Sequence, residues 1–506
     1  MVHKIFCATR FGIEAKKVEV ELSFIRGLPN FTISGLANNS IQESKQRIQS
    51  TLNAYGFVFP PLRVIVNLFP SDLPKYGSHF DLPIALLIAL HKNQQAFRHK
   101  WFAFGELGLD GNIKHNDSLF PLVLSVLTTD PDAYFILPKD SKKSFSYIPN
   151  LHAVYVCNFK EALEILKTDE AIESSNANLE YPYITIENKK FFYQEKFEYD
   201  FGEVIGQNIA KRAAMIAAAG FHNIIFEGSP GCGKSMIIKR LREILPPMSL
   251  EEIIETAKLK GLEGIDINLV PLRNFRFPHQ SASKASIIGS ASQREPKPGE
   301  IALAHLGLLF FDELPYFHKE ILEALREPLE NNALVVSRVH SKIEYPTSFI
   351  FAAAQNPCPC GNLLSTIKEC RCSDREITQY KNRLSEPFLD RIDLFVQMQE
   401  NQSQIKNQEQ KLDSKAMRDK VFKAFVMQHK RLQKDFNGKL SEKEIEKFCG
   451  IDTETESVLL KAKHHFGLSM RSINKIKKVA RTIADLDECH EIKKQHILEA
   501  MSYRRI

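Results

Sequence analysis

NIIFEGSPGCGKSMIIKRL, residues 223–241, decides the fold. The apolar residues Ile224–Phe226 read as a buried strand. The run then breaks into G-x-x-x-x-G-K-S at Gly228–Ser235, and a helical pattern follows. A strand, a glycine-rich loop and a helix in that order form a phosphate cradle. Across Gly228, Ser229, Pro230, Gly231, Cys232 and Gly233 the glycines let consecutive backbone N–H groups turn toward phosphate oxygens, Pro230 having none to donate. Lys234 neutralises the β- and γ-phosphates, and the Ser235 hydroxyl is suited to ligate Mg²⁺. The N-terminal end of the helix adds a dipole that favours the anion. ATP and Mg²⁺ are therefore the expected cofactors.

Two later strands extend this site. LGLLFFDELP (306–315) is an apolar run ending in adjacent carboxylates. Asp312 is expected to complete the Mg²⁺ shell, and Glu313 to orient or activate the attacking water. SFIFAAAQN (348–356) is a third buried strand with Asn356 at its tip. An amide there can position the hydrolytic water, although an asparagine before Pro357 also suits a plain turn.

Working outward, 506 residues suggest several domains, and 43% hydrophobic with 25% charged residues is ordinary for a globular chain. A net charge of +6 permits a nucleic-acid partner without demonstrating one. No apolar run reaches membrane-spanning length, and the first residues lack a signal-peptide layout. The expected location is the cytoplasm, with reduced cysteines. Residues 1–167 mix strands (18–25, 31–36, 63–69) with helices at 40–56 and 81–92. Residues 168–200 are polar and read as a linker or extended connection. Residues 201–400 alternate apolar strands with helices, the pattern of a parallel-sheet α/β domain. Residues 401–506 are rich in lysine and glutamate with helical periods, which predicts an all-α domain.

The order of the P-loop, FRFPHQSASKASIIG (275–289), PGEIALAHLGLLFFDELPYF (298–317), LEALREPLE (322–330), AAAQNPCPCG (352–361), YKNRLSEPFLDRIDL (380–394) and SMRSINKIKKVARTIADL (469–486) resembles the ComM/YifB family of bacterial magnesium-chelatase-like AAA+ ATPases. The resemblance covers nearly the whole chain. GLPNFTISGL, FDLPIALLIAL and GELGLDGNIK resemble that family's Lon-protease-like amino domain, with the α+β fold of ribosomal protein S5 domain 2. It implies a homo-hexameric ring with an AAA+ core and a helical C-terminal lid. The ring would translocate on single-stranded or branched DNA and drive branch migration during natural transformation. It also implies that Arg391 is the finger reaching a neighbouring subunit's γ-phosphate, that Arg471 is the lid's sensor arginine, and that Ile205 and Gly206 line the base pocket.

Alternatives stand beside this reading. A magnesium-chelatase-type motor acting on a protein partner shares the same core. A Lon-like protease requires a Ser–Lys dyad. Ser78 lies near the helix entry, but Phe80 and Asp81 occupy the entry itself, and Lys114 precedes Asp117, Ser118 and Leu119 with no lysine inside the next helix. The amino domain is therefore expected to be non-proteolytic. For DNA, two basic loops stand out: Arg276, His279 and Lys284 in one, and Arg338, His340 and Lys342 on one face of a hairpin over 335–346. Both loops could instead simply pack beside the nucleotide site. The basic run 474–481 reads as a solvated helix face, and His464 and His465 read as surface or satisfied core residues.

Four of the nine cysteines lie between residues 358 and 372. Cys358, Cys360, Cys370 and Cys372 form two C-x-C pairs, suited to closed tetrahedral Zn²⁺ coordination or else free in a surface loop. The ATP chemistry is expected to end at Asn356. A metal-stapled insertion over 357–373 would follow, serving a subunit contact or a DNA path.

Overall fold

The computed structural model describes residues 4–91, 97–116, 118–170, 172, 179–263, 267–290, 297–337, 342–400 and 412–504. The chain forms two compact units, Met1–Glu180 with Ala257–Leu269, and Tyr181–Thr256 with Val270–Ile506. No helix among the described residues is long and apolar enough to cross a membrane.

The first unit is built on a seven-stranded mixed sheet. Its order is Asn30–Ser34, Arg63–Phe69, Glu14–Ile25, Ile5–Phe11, Trp101–Ala103, Tyr134–Pro138 and His152–Val156. Glu14–Ile25 runs antiparallel to both of its neighbours, whereas the last three strands continue in parallel from Ile5–Phe11. Helix Asn39–Ala54 starts where the Asn38 side chain accepts from the Ile41 N–H, and buries Ile41, Ile48 and Leu52. Helix Asp81–Ala89 is buried on almost every side. At its entry the Ser78 hydroxyl is hydrogen-bonded to Glu106, and Lys75 is buried with its ammonium on the Pro70 carbonyl. Asp117 lies outside the described residues.

The second unit carries a five-stranded parallel sheet in the order Phe275–Arg276, Leu308–Phe311, Ile350–Gln355, Ile224–Gly228 and Leu394–Met398. Its central strands are apolar almost without break because both faces are covered. On one face Ile224, Phe226, Ala352, Ala354, Leu394 and Val396 pack with helices Asn208–Gly220, Lys234–Leu241 and Met470–Leu486. The helices after residue 412 thus share one core with the sheet. Parallel strands put all their carboxyl ends on one edge, and the loops carrying Lys234, Asp312, Glu313 and Asn356 leave from that edge.

Two expectations are corrected. The stretch 168–200 is more than a connection. Tyr183–Ile186 and Lys189–Phe192 form a hairpin whose second strand pairs with Met248–Ser249. Glu187 and Asn188, both at positive φ, make its tight turn, while Ile186 and Phe191 bury against Phe425. The basic run 474–481 is not a solvated face either. Lys475 lies 3.3 Å from the buried Asp393, and Arg481 lies 3.1 Å from the fully buried Asp485. Burial draws the Lys475 ammonium down to about 8. Burial alone would raise Asp393, but Lys475 and His222 hold it well below the usual carboxylate range.

Candidate nucleotide and metal site

The loop 229–233 links strand Ile224–Gly228 to helix Lys234–Leu241. Gly233, at φ +95°, makes the left-handed turn that starts the helix. Lys234 Nζ, almost wholly buried, donates to the carbonyls of Gly228 at 2.7 Å and Ser229 at 2.9 Å. It also reaches Asn356 Oδ1 at 3.2 Å. The three ammonium donors are thus spent on groups that a phosphate would replace.

Ser235 Oγ donates to Asp312 Oδ2 at 2.9 Å. A hydroxyl and a carboxylate at that spacing are the pair a Mg²⁺ ion would bridge. Glu313 follows strand Leu308–Phe311 at φ +53°, and its N–H donates to Asp312 Oδ1 at 3.0 Å. That left-handed kink turns Glu313 away from the strand's alternation. An open cavity of about 360 Å³ lies over these groups, lined by Lys234, Ser235, Asp312, Glu313 and Asn356. The geometry suits holding a triphosphate and a divalent ion beside a carboxylate base.

The same cavity is lined by Phe277, Pro278, His279 and Gln280, so part of the first basic loop sits at the nucleotide site. Phe277 stacks on Phe310 at 4.7 Å and fixes this loop. Arg276 is locked in a two-pronged pair with Glu300, and Lys284 pairs with the exposed Glu320 at 3.1 Å. In the second loop the expected hairpin forms from Ala333–Ser337 and Lys342–Pro346. Arg338, His340 and the side chain of Lys342 lie outside the described residues. Ile205 is exposed at the turn before helix Asn208–Gly220, next to Gly206 at φ +64°. Gln207 ties that turn to the P-loop by donating to the Cys232 carbonyl at 3.3 Å and the Gln399 carbonyl at 2.7 Å.

Arg391 and Arg471 are not at this cavity. Both guanidiniums are paired with one carboxylate, Glu330. Arg391 Nε also donates to the Arg326 carbonyl at 3.0 Å. Its main chain is pinned at the amino end of the P-loop strand. Asn223 Nδ2 donates to the Arg391 carbonyl at 3.1 Å, and the Asn223 N–H donates to Asp393 at 2.9 Å. Sequence reasoning missed Glu330, because its partners lie 61 and 141 residues away.

Cys358, Cys360, Cys370 and Cys372 converge, with all four sulfurs within 4.8 Å of one another. The pairs 358–360, 358–370 and 360–370 are 3.5, 3.7 and 3.6 Å apart. A tetrahedral zinc with Zn–S of about 2.3 Å requires a sulfur–sulfur edge of about 3.8 Å, close to the three edges among Cys358, Cys360 and Cys370, and Cys372 is near enough to complete the set. The Cys360 thiol is drawn down to about 6, chiefly by the backbone N–H groups of Asn362 and Arg371. Zn²⁺ held by these four would be closed and structural, with no position left for substrate.

Three models of known families match the chain: "Magnesium chelatase, subunit ChlI" over residues 200–406, "Subunit ChlI of Mg-chelatase" over 18–141, and "Magnesium chelatase, subunit ChlI C-terminal" over 411–504. The chain is 36% identical to the competence protein ComM of Haemophilus influenzae, with 99% of this chain and 97% of that protein covered. It is 35% identical to the uncharacterized protein YifB of Escherichia coli, with 98% and 95% covered. Similarity to the magnesium-chelatase 38 kDa subunit of Rhodobacter capsulatus is 23% identity, over 31% of this chain and 50% of that one.

Proposed function

Since this chain belongs to the ComM/YifB family of magnesium-chelatase-like AAA+ proteins, we propose that it is an ATPase that works as a homo-hexameric ring on DNA, driving branch migration of recombining strands as in natural transformation. The observation that carries the ATPase reading is the single cavity over Lys234, Ser235, Asp312, Glu313 and Asn356. Bound ATP takes the Lys234 donors now resting on Gly228, Ser229 and Asn356. Ser235 and Asp312 hold Mg²⁺, Glu313 activates water, and Asn356 orients that water. Ile205 and Gly206 flank the base.

Arg391 acts on a neighbouring copy's nucleotide, because its own P-loop lies beyond the far end of strand Ile224–Gly228, and Arg471, paired with the same Glu330, is the lid's sensor arginine. A guanidinium there would stabilise charge on the transferring phosphoryl group. DNA is contacted from the ring's inner face by Lys284 of the first basic loop and by Arg338, His340 and Lys342 of the second. The amino unit is a non-proteolytic, Lon-like assembly or partner module. Zn²⁺ at the four cysteines is structural. The site of action is the cytoplasm.

A second reading, a motor that remodels a protein partner for metal insertion, is favoured by the chelatase-subunit family models. Supporting DNA over that reading is the breadth of similarity, which spans the full chain for the competence protein and about a third of it for the chelatase subunits. The test is ATP-dependent branch migration of a synthetic three- or four-stranded junction, with ATPase stimulation by DNA measured alongside. Stimulation by a chelatase partner and none by DNA refutes the DNA reading. Normal branch migration by Lys234→Ala refutes the mechanism.

A further inference from the structure

The four-cysteine loop touches the phosphate-binding loop directly. Asn356, which takes the Lys234 hydrogen bond, lies two residues before the buried Cys358. Gly361 follows Cys360 and sits against Pro230 at φ +81°. A β-carbon at Gly361 would lie 2.5 Å from Pro230 Cδ and 2.7 Å from its Cγ, so only glycine admits this approach without displacing the P-loop. The turn that presents Gly361 is the one that carries the thiols. The Gly361 N–H donates to the Cys358 carbonyl at 3.0 Å, and the Cys360 N–H points to Cys372 Sγ at 3.4 Å.

Beyond the buried Pro357, Cys358 and Gly361, the loop's large apolar side chains Leu363, Leu364 and Ile367 are exposed, so burial contributes little to the order of that part. Ligand bonds to a structural metal are the cross-link that can fix such a segment.

We propose that the four-cysteine loop braces the phosphate-binding loop from outside the nucleotide cavity, with Gly361 as the positioning residue. Metal bound by Cys358, Cys360, Cys370 and Cys372 holds Gly361 against Pro230, and thereby sets how tightly the P-loop takes nucleotide. The proposal rests on the nucleotide and zinc readings above and goes beyond them, because it gives the metal a role in nucleotide affinity. The coupling is reciprocal, so bound nucleotide must also retain the metal.

Three measurements on the full-length protein test it. Binding of fluorescent mant-ADP with Mg²⁺ is titrated for zinc-loaded protein, for protein stripped by chelator and returned to Mg²⁺ buffer, and for Gly361→Ala, whose four cysteines are intact. Zinc content is measured in each, and zinc release to a chromogenic chelator is timed with and without ADP. Stripped protein is expected to bind mant-ADP about tenfold more weakly and to recover on adding zinc, and Gly361→Ala to weaken binding comparably while keeping its zinc. ADP is expected to slow zinc release by a similar factor. Affinity within about twofold of the loaded wild type, in either the stripped or the Gly361→Ala arm, overturns the proposal. Wild type that holds no zinc yet binds mant-ADP overturns the proposal and the metal reading but spares the nucleotide site. Wild type that binds zinc but no mant-ADP overturns the nucleotide reading together with this one.

Discussion

Mixing two defective variants is expected to rebuild activity that neither holds alone. Lys234→Ala removes the phosphate ligand and keeps Arg391; Arg391→Ala does the reverse. Losing either is expected to lower turnover by roughly 10³-fold, about 4 kcal/mol of transition-state stabilisation. Within one chain the two groups stand at opposite ends of strand Ile224–Gly228. Arg391 is pinned to Asn223, just before the strand, and Lys234 opens the helix beyond its other end. At ~3.3 Å per residue the strand alone separates them by roughly 16 Å, too far for a guanidinium already paired with Glu330. In a head-to-tail ring each site combines the P-loop of one copy with the arginine of the next. Random equal mixing then leaves about a quarter of the sites with both groups intact. A coupled ATPase assay after subunit exchange should read about a quarter of wild-type turnover, a few hundredfold above either parent. A mixture that only averages its parents would refute action between copies.

Other consequences are open to direct measurement. Asp485 is fully buried and accepts from Arg431 at 2.5 and 2.7 Å and from Asn437 at 2.9 Å, so Asp485→Ala should cost about 3–5 kcal/mol in urea unfolding; a loss below about 1 kcal/mol counts against that buried network. His79, buried and donating from Nε2 to the Ala8 carbonyl at 2.9 Å, is pushed down to about 4 by that burial. Its folded form binds fewer protons than the unfolded chain between its ordinary 6.5 and 4, so stability is lost as pH falls through that window, by up to about 3 kcal/mol. Asp81, raised to about 6 by burial, works in the opposite sense. The check is therefore the difference in slope between wild type and His79→Gln, which should lose less stability on acidification; equal slopes would rule out a neutral buried histidine. Elemental analysis should find one zinc per chain, and Cys370→Ser should lower metal retention, while full retention by that variant would remove Cys370 from the ligand set.

Much of the nucleotide site was legible because its chemistry is written in short contiguous runs. The P-loop fixes its own backbone path within eight residues, and the Asp312–Glu313 pair announces itself by ending the apolar strand Leu308–Phe311. The cysteine pairs were readable for the same reason. The hairpin inside 168–200 was missed although its signal was present: YITI and KKFF alternate about Glu187–Asn188, but the polar residues around them dominated the reading. The basic run 474–481 misled in the opposite way, because a lysine-rich helix face looks solvated until a buried aspartate is placed beside it.

The sequence by itself determined a parallel-sheet unit with a phosphate-loop motif, a second strand-rich unit and a four-thiol cluster. Each follows from periodicity or from ligands close together along the chain, where a few bonds limit what geometry is possible. Only the tertiary structure decided what those parts touch. It brought Glu330 to both Arg391 and Arg471, Asp393 to Lys475, and Gly361 to Pro230. Such contacts depend on the order of strands in a sheet and on the packing of helices across it, and no local pattern of residue types encodes which distant segment will arrive. The cysteine loop is the clearest case. Read along the chain it begins where the nucleotide chemistry stops; folded, it leans against the loop that holds the phosphates, because the strand ending at Gln355 lies beside the one ending at Gly228.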